Sequence, residues 1–133
     1  MNNTSLILLF EFGGKKLLFP GDAQIENWEH ALNHKTDGKK NRALLSATDL
    51  YKVGHHGSRN ATPITLWKMF AKKGTNKGPL KTMMSTLSGV HGHTVETAVP
   101  RKTLLNELEK HSKLSNTDGL PKKELFVEEV INA

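Results

Sequence analysis

The chain of 133 residues contains no cysteine. That excludes disulfides and thiolate metal sites, and it fits a reducing compartment, so a cytoplasmic location is expected. No apolar run approaches the length of a membrane span. The opening "MNNTSLILLFEF" lacks the basic leader and small-residue cleavage site of a signal peptide, and it reads as a strand already under way. Internal repeats and long low-complexity tracts are missing too, so a repeat array is not expected. The length suits one domain, residues 1–133. The apolar residues come in clear runs that can build a core. The formal charge of +6 leans mildly toward anionic partners. Most of the lysines fall in short clusters such as "KTDGKKNR" and "KKGTNKGPLK", which also suit a solvated surface.

The apolar pattern predicts an alternation of strands and helices. Residues 4–12 and 15–19 are two apolar runs joined through Gly13-Gly14, whose positive φ angles suit a tight hairpin turn. The run from Leu6 to Phe10 is nearly continuous, as expected of a strand buried on both faces. Pro20-Gly21 ends the second strand, because proline cannot donate to a sheet ladder. In "AQIENWEHALNH" the residues Ile25, Trp28 and Leu32 share one helical face. Residues 35–43 read as a polar, basic loop, and Leu50 to Val53 as the next buried strand. Thr62-Pro63 is a helix opening with a capping hydroxyl, and that helix should run to Gly74. "LKTMMSTL" is a third buried strand. Pro100 opens a helix with Leu104, Leu105 and Leu108 on one face. "LSNTDGLPKK" reads as a loop and "ELFVEEVI" as a closing strand. Hairpin, helix, strand, helix, strand, helix, strand makes an α/β layered domain.

Two places share a pattern that carries chemistry. "LLFPGDA" and "LYKVGHHGS" each run from a buried strand through glycine to a side chain that can bind metal. Loops just past strand ends are where α/β proteins gather ligands. Glycine lets the backbone come close to an ion or substrate. A carboxylate oxygen with neutral imidazole nitrogen suits zinc, manganese or iron(II) better than calcium or magnesium. An ordinary reading stands beside each motif: Gly-Asp after a strand also makes a turn with its own side-chain-to-backbone bond, and a histidine is often a surface residue. His30 and His34 lie four apart on one helix, but their neighbours look like a polar face. His111 ends a helix, where a cation is favoured.

Residues 1 to 70, with "GDA" and "HHGS" in this order after a serine-containing strand, resemble the carboxy-terminal half of a metallo-β-lactamase-fold hydrolase, nearest the ComEC-like branch. The resemblance implies the carboxy-terminal half of a four-layer αββα sandwich with two zinc or manganese ions at one edge of the paired sheets. By the same resemblance, Asp22 takes the position of the carboxylate bridging the metals, and His55 that of the last histidine ligand. His56 would orient its neighbour or meet substrate, and Ser58 with the Gly57 turn could hold an anionic oxygen. His91 and His93, in "HGH", match histidines that related enzymes carry near substrate; a solvated glycine-rich loop is the alternative.

The family's His-x-His-x-Asp-His run does not occur in the chain. The expectation is therefore half of a domain, with metal binding weak or absent in this piece and catalysis absent from it alone. Its expected partners are the missing amino-terminal half of the same fold, nucleic acid or a nucleotide, and further copies of itself. The implied activity of the intact parent is phosphodiester hydrolysis by a metal-activated water. A non-catalytic module for assembly or nucleic-acid binding is the competing function. A third reading makes "HHGS" a mere turn in some other α/β layer, with Asp22 and His55 far apart.

Overall fold

A computed structural model describes residues 4–75, 78–90, 92, 94 and 97–132 of the chain. The hairpin forms as its residues dictate. Strand β1 (Leu8–Phe12) turns at Gly13 and Gly14, at φ +55° and +72°, and returns as β2 (Lys15–Phe19). Two helices follow, α1 (Ile25–Asn33) and α2 (Gly38–Ser46), then β3 (Leu50–Lys52) and a single 3₁₀ turn at His55–Gly57. Helix α3 (Ile64–Met69), β4 (Lys81–Met84), α4 (Lys102–His111) and β5 (Lys113–Asn116) complete the order. The described strands form one sheet in the order β1-β2-β3-β4-β5. Its first pair is antiparallel and the remaining pairs are parallel. The fold is mixed α/β.

The core lies on one face of this sheet. Leu18 of β2 pairs with Tyr51 of β3, and Tyr51 with Thr82 of β4, so the three share a face. Against that face pack Trp28 and Leu32 of α1, Leu45 of α2, Leu66 and Trp67 of α3, and Leu108 of α4. Most buried polar groups there are paired, and among the described residues the Thr86 hydroxyl is the buried side-chain group without a partner. The Trp28 Nε1–H donates to the Ala61 carbonyl at 3.2 Å, and the Tyr51 and Thr62 hydroxyls bond at 2.8 Å. Burial pushes the Tyr51 phenol well above its ordinary pKa, even though the Thr62 bond works the other way.

The opposite face is open at the hairpin end. Leu6, Leu8, Phe10 and Phe12 are 70%, 40%, 53% and 82% exposed, while the alternate residues Ile7 and Leu9 pack on the core. The expectation of a first strand buried on both faces is thus corrected. β1 is an edge strand, and the helical layer covers one face alone, so the period of two puts every second apolar residue outside. At the other end of this face the chain returns. The Lys81 ammonium donates to the Glu129 carboxylate at 2.9 Å and to the Val130 carbonyl at 2.5 Å, and the Ser115 hydroxyl also donates to Glu129.

Three further boundaries differ from the pattern in the sequence. The predicted loop 35–43 contains most of α2. Its polar residues tie it to α1: Asn41 donates to the Ala31 carbonyl and Arg42 to the Leu32 carbonyl, at 2.8 and 2.9 Å. Gly38 permits the approach, since a Cβ there would lie 2.6 Å from the Leu32 oxygen. The predicted closing strand 124–131 is irregular, and the fifth strand is instead "KLSN", directly after α4. Its Leu114 faces the core, and the buried Ser112 just before it bonds to Thr82 at 2.7 Å. Helix α3 stops at Met69 rather than running to Gly74, and the Thr62 hydroxyl serves Tyr51 instead of capping it.

Candidate functional site

The parallel strands end together, and their ends meet in a cavity of about 360 Å³. Phe19, Gly21 and Asp22 enter from the end of β2, Lys52 through His56 from the end of β3, and Ser85 from the end of β4. The "GDA" and "GHHG" turns touch through backbone. A Cβ added to Gly54 would lie 2.6 Å from the Gly21 carbonyl oxygen, so glycine is what lets the two turns close on one another. Asp22, His55 and His56, named from sequence, therefore stand around one cavity, at the carboxyl edge where α/β folds bind ligands.

The histidine turn is held in an uncommon shape. His55, His56 and Gly57 have φ of +42°, +54° and +78°, all left-handed. For a residue with a side chain such angles cost on the order of 1 kcal/mol or more each, and they concentrate at functional sites. Surrounding contacts impose them. The Gly57 carbonyl accepts from the Arg101 amide at 2.9 Å, and a Cβ at Gly57 would run into Pro100 and the Met84 sulfur. Both imidazoles are oriented. His55 Nδ1 stands 3.0 Å from the Ser58 hydroxyl, and His56 Nδ1 2.9 Å from the Ser85 carbonyl. The Ser85 carbonyl accepts from His56 Nδ1–H, which fixes that tautomer. Ser58 does not line the cavity; its hydroxyl sits beside His55. His91 and His93 lie outside the described residues.

Sequence reading missed Lys52. It is the one cation lining this cavity among the described residues. Its register with Met83 and its alternation with Tyr51 put it on the sheet face away from the core. Burial lowers its pKa. The signal was available as a lysine inside the apolar run "LYKV", where it is the last residue of β3.

The donor set fits a divalent ion in kind. Residues that carry a carboxylate and two imidazoles line one cavity, and the Ser58 contact at His55 Nδ1 leaves Nε2 as the nitrogen for a ligand. It falls short in number. Among the described residues, no cluster of three or more histidine, cysteine, aspartate or glutamate side chains could hold a metal. The remaining histidines lie elsewhere. His34 contacts Thr36 and Asp37 beyond the end of α1, and the rings of His30 and His34 are 5.3 Å apart. His111 bonds to the Gly74 carbonyl at 3.2 Å. A larger cavity of about 610 Å³, between α1, α3 and α4, is lined by Trp67, Leu104, Arg42, Arg59 and Arg101 among others and by no histidine. Among the described residues, no helix is long and apolar enough to cross a membrane. No protein-family model matches the chain, and no curated protein or solved structure matches it either.

Proposed function

We propose that the chain is part of a metal-dependent hydrolase that cleaves phosphodiesters of nucleic acid or nucleotides, with Asp22 and His55 as metal ligands and His56 beside them. One observation carries the reading: Asp22, His55 and His56 border a single cavity at the carboxyl edge of parallel strands. Zinc or manganese bound there would supply Lewis acidity and acidify a water. The protein's own part is to orient the groups: Ser58 holds the His55 ring, Ser85 holds the His56 ring, and the left-handed turn aims both. The other ligands would come from outside these residues. A sheet with helices on one face and an apolar stripe on the other suits the carboxy-terminal half of an αββα sandwich, whose second layer is the amino-terminal half of the same fold or a further copy of this chain. The net charge of +6 agrees with a polyanionic substrate.

The test is hydrolysis of bis(4-nitrophenyl) phosphate with added manganese. This chain alone should turn over little, because two protein ligands leave most of the coordination to water. Joined to a layer that supplies further ligands, it should show metal-dependent turnover that Asp22→Ala removes. Undiminished turnover in Asp22→Ala would defeat the assignment. The second reading, a non-catalytic module, draws on the lack of a three-ligand cluster among the described residues. Nucleic-acid binding without any turnover in the joined protein would favour it.

A further inference from the structure

We infer that Lys52 makes the cavity at the strand ends a phosphoryl-anion site, holding a non-bridging oxygen of a phosphate ester. Lys52 lines the cavity that Asp22, His55 and His56 also line. No ion pair or hydrogen bond joins it to any described residue. Among the described residues the lysine ion pairs are Lys16 with Glu11, Lys72 with Asp49 and Lys81 with Glu129. A partly buried cation without a partner is a costly arrangement, and an anion from solution relieves it. Burial supports this, since desolvation depresses the Lys52 pKa and no neighbouring group raises it.

The position adds to the case. Lys52 stands at the carboxyl end of the central strand, three residues before a turn of three successive left-handed residues, and lines a cavity large enough for a phosphate with its first ester carbons. Phe19 lines the same cavity, and a charge-assisted contact is stronger beside apolar surface than in open water. Asp22 is the opposing charge. It repels an anion, so Lys52 and Asp22 set affinity in opposite directions. The inference rests on the function proposed above for its biological sense, since it names the residue that would engage the substrate phosphoryl group. Its test needs no metal.

The experiment is a titration of the chain with inorganic phosphate, a chelator present throughout, followed by amide chemical shifts. We expect saturable shifts around residues 21–22 and 52–56. Lys52→Met should weaken binding about tenfold or more, the size of one lost charge-assisted contact, while Lys52→Arg should keep it within a few fold. Asp22→Asn should tighten phosphate binding, although the same substitution should abolish metal binding. The two ideas therefore fail separately. Methyl phosphate and dimethyl phosphate, titrated in parallel, tell a terminal phosphate from an internal backbone one, and binding of either supports the site. Non-saturable shifts with all three anions would overturn the inference. So would equal affinity in Lys52→Met. Should Lys52→Met fail to fold, Asp22→Asn decides: unchanged or weaker phosphate binding overturns the inference.

Discussion

At the scale of single residues, the site depends on glycines as much as on histidines. Gly54 lets the two turns close, and alanine there would push a methyl into the Gly21 carbonyl, which is backbone and cannot step aside. We expect Gly54→Ala to cost about 1–3 kcal/mol of stability, measured by denaturant unfolding, and to weaken any ligand that needs both turns. His55→Ala should reduce metal affinity by at least about tenfold. His56→Ala should reduce it less, since the proposal makes His56 a neighbour of the ion rather than its ligand. Equal losses measured by calorimetry would give both histidines the ligand role. Asp22 and the histidine pair were legible in the sequence because a glycine beside a metal-capable side chain at a strand end is a local pattern. Lys52 stands out in the sequence only as a charge inside an apolar run, and the fold is what brings it to the same cavity. Ser58 is expected from sequence to hold an anionic oxygen, and its hydroxyl stands 3.0 Å from His55 Nδ1.

At the scale of elements, the sheet is pinned by carboxylates whose protonation should be felt in acid. Burial raises the Asp49 pKa. The Lys72 hydrogen bond at 2.6 Å, the Lys16 amide at 2.9 Å and the lysine charges outweigh that, and hold it below the ordinary 3.8. The unfolded chain then binds the proton more readily. The stability Asp49 contributes is present above pH 3.8 and is lost as pH falls through its lower folded value. Glu129 behaves alike: the Ser115 and Lys81 hydrogen bonds lower it against the opposing effect of burial. We expect unfolding free energy to drop steeply below about pH 4, and Asp49→Asn to flatten that drop. An unchanged acid slope would remove Asp49 from the explanation. Glu129→Ala should release the strap of residues 124–131 and speed its proteolysis while leaving the helices protected. The hairpin, α1, β3, β4 and α4 could be read from periodicity and breakers. Helix α2 could not, because its stability comes from Asn41 and Arg42 reaching back to α1 carbonyls rather than from an apolar stripe. The tail 124–131 carries a strand-like composition, but Lys81 and Ser115 engage its Glu129 side chain and the Val130 carbonyl, while "KLSN" pairs with β4 as the fifth strand.

At the scale of the whole molecule, a sheet with its helices on one face leaves Leu8, Phe10 and Phe12 of the edge strand exposed, with Leu6 exposed just before them. Exposed apolar rows on edges invite pairing or face-to-face packing. We expect concentration-dependent self-association in sedimentation, tightened by salt because the molecule carries +6. Phe10→Lys with Phe12→Lys should return it to monomer, and association unchanged by that pair would place the contact elsewhere. Such a layered molecule brings the ends of three parallel strands to one cavity, and the functional proposal stands on Asp22 and His55 acting on one ion there. The most direct test is titration of the chain with manganese(II), followed by paramagnetic broadening of its amide signals. We expect broadening centred on Asp22, Gly54 and His55 together, and its loss in Asp22→Ala. Broadening centred on His30 and His34, or no localised broadening at all, would contradict the shared site.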